Sequence, residues 1–255
     1  MRIGALRVFA LVLVLGCGIG SAAAKSRVAM AAKEHSWRFA TAHGIVRVWW
    51  PANYNWRTAG MVVYVHGFRT DVDSSWKEHN LVKKFRDSKR NALFIVAEAP
   101  AELGKPVVWT SLSQLIGTSL RLTRQRRPKG KLIVVGHSGA YLTIVPWLKD
   151  AAVTYVILID GLYGCEDSFT QWLYKDKNAR KHRMVVVSYD SVKWADPWVK
   201  GIVGAVTLSK IPAKADDVPK RMRRAKVLYM RSQYDHMALI ERDDVFPMLL
   251  QLAPR

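Results

Sequence analysis

The segment Leu132-Ile133-Val134-Val135-Gly136-His137-Ser138-Gly139-Ala140 joins an apolar, β-branched run to a stretch with helical spacing. Ser138 stands between two small residues, Gly136 and Ala140, each two positions away. A serine nucleophile on a sharp strand-to-helix turn needs that spacing, because larger side chains there would collide with the turn itself. The helix start behind it aligns N–H groups toward any oxyanion that forms. Ala140 replaces the more usual glycine and still leaves room for the turn. These residue types and this spacing point to nucleophilic attack on a carbonyl carbon.

Such a serine needs a base. Val227-Leu228-Tyr229-Met230 reads as the last strand, and His236 lies in the loop beyond it, within Ser232-Gln233-Tyr234-Asp235-His236-Met237. A histidine so placed can swing over the nucleophile and take its proton. His66 is expected to be a structural hydrogen-bonder, and His137 to pack or to line the pocket. Asp71-x-Asp73-x-Ser75 imitates the start of a calcium loop, but Trp76 and Val82 stand where glycine and glutamate are needed. A helix cap is the better reading there. The histidines show no metal-ligand spacing, so no metal is expected. No cofactor is required either. Cys165 has no base arrangement around it and reads as a free thiol or an intermolecular partner.

Strand-like and helix-like runs alternate along the chain, as in a mainly parallel sheet with helices on both faces. Residues 36–41 and 44–50 flank Ala42-His43-Gly44 as an antiparallel edge hairpin. Met61–Val65, Leu93–Ala97, Leu132–Val135, Tyr155–Ile159, Met184–Ser188 and Val227–Met230 are continuous apolar runs that suit strands buried on both faces. Ser74-Ser75 is expected to cap a helix carrying Trp76, Leu81, Val82 and Phe85. Leu112, Leu115, Ile116 and Leu120 mark one face of a second helix, and Leu142, Val145 and Leu148 a third. Residues 165–182 and 191–222 read as insertions at the sheet's carboxyl edge. With Trp172, Trp194 and Trp198 they are expected to form a small lid with an aromatic pocket, or else to bury those rings under long loops.

The chain has 255 residues, of which 50% are hydrophobic, enough for a sizeable core and inconsistent with global disorder. Two cysteines can form neither a disulfide framework nor a four-cysteine zinc site. Arg2 and Arg7, the apolar run Val8–Leu15 and the small residues Ser21-Ala22-Ala23-Ala24 predict a signal peptide over 1–24. The remainder, 25–255, reads as one domain, exported to the periplasm or secreted. A lipoprotein signal with Cys17 as acceptor is the competing reading, and Leu15 suits it poorly. The formal charge of +20 concentrates in Arg121–Lys131, Lys175–Arg183 and Lys220–Lys226. Those clusters suggest an anionic envelope surface as partner. A proteome-wide alkaline bias is the alternative. No recognition module for specific nucleic acid is visible.

On Val65-His66-Gly67-Phe68, Gly136-His137-Ser138-Gly139-Ala140 and His236, the chain resembles the α/β-hydrolase fold superfamily over about residues 45–250. The elbow followed by Leu158-Ile159-Asp160-Gly161-Leu162-Tyr163-Gly164 resembles a bacterial branch of it, from which no substrate follows. The resemblance implies Ser138 as nucleophile, His236 as base and the backbone amides of Phe68 and Gly139 as oxyanion hole. For the triad acid it leaves two places. Asp160 ends the strand after the elbow, where Gly161 and Gly164 ease a sharp turn. Asp190 follows the next strand, the more usual site, with Lys193 close enough in sequence to pair with it. Asp160 is preferred. The implied activity is ester hydrolysis through an acyl-enzyme on a small-molecule or lipid ester. The alternatives are an amidase or peptidase on cell-wall peptides, and an idle hydrolase fold that binds anionic envelope polymers.

Overall fold

Nine strands, counted over the described residues, form one sheet: β1 (His35–Thr41), β2 (Gly44–Trp50), β3 (Gly60–Val65), β4 (Ala92–Ala97), β5 (Leu132–His137), β6 (Tyr155–Ile159), β7 (Arg183–Ser188), β8 (Ala205–Leu208) and β9 (Val227–Arg231). Their spatial order is β1-β2-β4-β3-β5-β6-β7-β9-β8. The computed structural model describes residues 33–175 and 179–254. The expected signal peptide with Cys17, and Lys177 of the second basic cluster, lie outside the described residues.

β1 pairs antiparallel with β2, and β2 with β4; every other pairing is parallel. Each parallel step needs a crossover long enough to return the chain. Those crossovers and the C-terminal segment supply α1 (Val72–Glu78), α2 (Leu81–Asp87), α3 (Leu112–Leu122), α4 (Tyr141–Trp147), α5 (Glu166–Lys175), α6 (Val192–Lys200), α7 (Lys220–Arg223), α8 (Ala238–Glu241) and α9 (Val245–Leu252). Side chains alternate across a strand. Met61, Val63 and Val65 therefore pack in one layer with residues of α3 to α6, while Val62 and Tyr64 pack in the other with α1, α2, α8 and α9. β4, β5 and β6 are buried at every position because both faces are covered.

Register levels the carboxyl ends of the strands that matter. His137 lies opposite Ile159, Ile159 opposite Val187, and Val187 opposite Met230. The loops after β5, β6, β7 and β9 therefore emerge along one edge.

Three sequence expectations change. The helix expected to be capped by Ser74-Ser75 begins at Val72 and is capped by Asp71, whose carboxylate accepts from Ser74 N at 2.8 Å. It also does not run through to Phe85. Asn80 adopts a left-handed φ of 49°, which ends α1 and lets α2 start afresh. Residues 165–182 and 191–222, expected as insertions, supply scaffold: α5 buries Phe169, Trp172 and Leu173, and β8 extends the sheet beyond β9.

Lys84 in α2 has no exposed surface, yet its ammonium donates to the carbonyls of Ile240 and Glu241 at the end of α8. It ties α2 to the helix just after His236. Lys84→Met keeps the aliphatic stem but leaves both carbonyls without that donor. It is expected to lower unfolding free energy by roughly 1–3 kcal/mol, read as a drop in the urea midpoint at unchanged slope.

Candidate active site

β5 ends at His137, and the next residue turns back on itself. Ser138 holds a left-handed φ of 55° at the head of a 3-10 turn, Ser138–Ala140, that leads directly into α4. A non-glycine residue there costs on the order of 1–3 kcal/mol and persists only where its surroundings enforce it. The enforcement is visible in the glycines. A Cβ on Gly136 would lie 2.5 Å from Ile144 Cδ1 and 2.9 Å from Ala140 Cβ. One on Gly67 would lie 2.7 Å from Ser138 Cβ. On Gly139 it would strike the Phe68 ring at 2.5–2.6 Å. The Gly67-Phe68 segment and the elbow are therefore in direct contact. Gly139 sits in the first turn, where N–H groups lack intrahelical acceptors.

The loop that carries Phe68 is braced from beneath. His66 is fully buried, its Nδ1 is 2.7 Å from Gly67 O, and its Nε2 accepts from Ala99 N at 3.1 Å. Glu98 Oε1 lies 3.0 Å from the same Nε2.

His236 Nε2 is 3.0 Å from Ser138 Oγ, and its Nδ1 is 2.7 Å from Asp160 Oδ2. Asp190 Oδ2 is 3.8 Å from that same Nδ1, and its side chain is 58% exposed. The two carboxylates considered for the acid are thus unequal. Asp160 is completely buried and accepts from Tyr189 N, Ser191 N and Ser191 Oγ on Oδ1, and from Asp190 N on Oδ2. Asp190 reaches the imidazole from the rim while its own amide serves Asp160. The sharp turn after β6 falls on Asp160 itself, φ 42°, rather than on the glycine next to it. Gly161 is needed for another reason: a Cβ there would come within 3.0 Å of Ser138 O.

Burial pushes the Asp160 carboxyl up, but hydrogen bonds from His236, Ser191 and the Tyr189 and Ser191 amides outweigh it. The group ends well below the usual carboxylate range and stays ionised. Its hydrogen bond raises the pKa of His236 above the ordinary 6.5, against the opposing effect of burial. His137 contributes in a different way. Burial drives its pKa down to about 3, so the ring is neutral. Its Nε2 lies 3.2 Å from His236 O, and the two rings sit 4.8 Å apart. A neutral neighbour steadies the His236 loop without opposing an imidazolium.

Asp160, Asp190 and His236 together offer three metal-type donors. Asp160 has already committed both oxygens, and a cation would have to displace those donors. Cys165 is half-buried, and burial pushes its thiol up to about 11, which suits neither nucleophile nor thiolate. Three aromatic rings, from α4, the segment after β6 and α6, stand close to one another. Tyr163 lies 6.0 Å from Tyr141 and 5.1 Å, edge-on, from Trp194, over which Lys193 Nζ sits at 4.0 Å. Of the other two expected lid tryptophans, Trp172 is buried beneath the sheet and Trp198 donates to Thr170 Oγ1 at 2.9 Å.

Sequence reasoning passed over Ser191, whose hydroxyl donates to Asp160 Oδ1 at 2.6 Å and lies 2.9 Å from Ser188 Oγ. The signal was present: two serines flank the end of β7, at the level of Asp160.

No family model matches the chain, and no curated protein matches it in sequence. Solved structures do resemble it. A feruloyl esterase module from Clostridium thermocellum, complexed with sinapinate, is 10% identical at a TM-score of 0.54, over 86% of this chain and 88% of that one. A thermostable carboxylesterase cloned from a metagenomic library is 12% identical at 0.53, over 88% and 90%. A fluorophosphonate-binding serine hydrolase of Staphylococcus aureus is 11% identical at 0.53, over 87% and 99%. At such identities the likeness is one of architecture, and it agrees with the sheet order and the strand-to-helix turn at Ser138: this chain is built on the α/β-hydrolase fold.

Proposed function

We propose that this protein is a serine hydrolase that cleaves a carboxylic ester through an acyl-enzyme. The observation that carries the reading is the continuous Ser138–His236–Asp160 relay, with contacts of 3.0 and 2.7 Å. Ser138 Oγ attacks the ester carbonyl as His236 Nε2 takes its proton. Asp160 holds the ring by Nδ1–H and stabilises the imidazolium. The Phe68 and Gly139 amides receive the oxyanion, a contribution of about 3 kcal/mol per donor. Collapse of the tetrahedral intermediate expels the alcohol, protonated by His236. Water, activated by the same imidazole, then releases the acid.

The rings of Tyr141, Tyr163 and Trp194 favour an aromatic acyl or alcohol group beside Ser138. The sinapinate held by the structurally similar feruloyl esterase module is a ligand of that kind. An amide substrate on cell-wall peptides would use the same relay, and a parallel panel of aryl esters and anilides separates the two. An intact relay favours turnover over a role confined to binding anionic polymers. Arg2, Arg7 and the apolar run after them support export to the periplasm or beyond, with Cys17 as the alternative lipid anchor.

The mature chain from Lys25 is expected to hydrolyse nitrophenyl esters and to be labelled by a fluorophosphonate probe. Ser138→Ala abolishes labelling and leaves only a small residue of turnover. Equal labelling of both proteins would sink the assignment of the nucleophile.

The acid limb of kcat/KM reports His236, which must be neutral to act as base. Because Asp160 raises its pKa, that limb is expected above pH 6.5. Asp160→Asn removes the main cause of the rise, so the limb moves to lower pH while kcat falls by roughly four orders of magnitude. Asp190→Asn is expected to change kcat only a few-fold. A reversed ranking in the pH–rate profiles would transfer the acid's role to Asp190.

A further inference from the structure

At the end of the sheet opposite Ser138, the amino ends of β3, β4 and β5 open on a cavity of about 950 Å³. Five cationic residues line it: Lys89 and Arg90 from the turn after α2, Lys131 just before β5, and Lys220 and Arg223 from α7. They come from three separate stretches of chain, so their meeting is a product of the fold rather than of one basic run.

The single carboxylate in the lining, Asp216, is already paired with Arg223 at 3.0 Å. Arg90 is also engaged, donating to the carbonyls of Leu250, Ala253 and Pro254. Lys89, Lys131 and Lys220 are exposed and make no ion pair among the described residues. Unpaired like charges around one hollow repel each other, and an anion placed among them relieves that repulsion. The basic surface also continues past the rim. Next to lining residue Thr58, the Trp56 ring is approached by Arg57, Arg126 and Lys129 at 5.1, 5.3 and 5.9 Å.

We propose that this cavity at the amino end of the sheet binds a ligand carrying several phosphate groups. The volume exceeds what one orthophosphate needs and falls in the range that encloses a whole small ligand. A phosphate group, with close to two charges, neutralises such a lysine set in less space than carboxylates could. The ligand is either a free oligophosphate or a phosphate-bearing polymer whose backbone leaves over Trp56. The site is remote from the Ser138 relay and does not depend on the hydrolase reading.

The test is calorimetric titration of the full mature chain with inorganic tripolyphosphate, at fixed salt, beside a longer inorganic polyphosphate and orthophosphate. The triple variant Lys89→Ala/Lys131→Ala/Lys220→Ala is compared with a charge-matched control, Lys77→Ala/Lys200→Ala/Lys210→Ala, both checked for an unchanged thermal midpoint. The cavity variant is expected to weaken tripolyphosphate binding by about tenfold or more, and the control by less than about twofold. Tighter binding of the long polymer, lost on Trp56→Ala, identifies the polymer as the source; equal affinity for the two identifies the free oligophosphate. Equal weakening in both triple variants would reduce the effect to net charge and overturn the proposal. So would orthophosphate binding as tightly as tripolyphosphate, or a short DNA duplex depending on the three lysines more strongly than either phosphate chain.

Discussion

The Asp160 carboxylate is the interaction on which the site's geometry depends. It is fully buried, which by itself would favour the neutral acid. Four donors from the turn after β7, together with His236 Nδ1, keep it charged instead. A buried charge held by that many donors cannot move without leaving several of them unpaired. Asp160 therefore fixes the end of β6, the Tyr189–Ser191 turn and the loop after β9 with respect to one another. The level register of the parallel strands brings those three segments within reach, and the carboxylate locks them.

A second constraint acts through the main chain. Ser138 and Asp160 both adopt left-handed backbone, and two glycines close in on Ser138. Gly161 faces Ser138 O, and Gly67 faces Ser138 Cβ. Strain at Ser138 is thereby held by close backbone approach, which relaxes less than contacts with flexible side chains can.

Much of this was legible in the sequence because it is local. The apolar runs announce the central strands, and Gly136, Ser138 and Ala140 announce the turn. The features that were not legible depend on contacts between distant segments. β8 is a four-residue edge strand, Ala205–Leu208, only partly buried, so its composition carries no clear period. Asp160 and Asp190 both come after strands, and only the donors gathered on Asp160 distinguish them. Ser191 and the neutral His137 take their parts through hydrogen bonds that no spacing encodes. The break at Asn80 turns on a single backbone angle inside an otherwise helical pattern.

The glycine contacts divide the site into two parts with different freedom to change. Gly67, Gly136, Gly139 and Gly161, which hold the turn at Ser138, are closed to larger residues, whereas Tyr141 and Trp194 contribute ring surface. A lineage carrying this fold can therefore drift in what it recognises by exchanging a few rings, while its bond-breaking apparatus stays the same. If the chain hydrolyses esters as proposed, selection for a new ester would leave its record in those rings and almost none in the turn at Ser138.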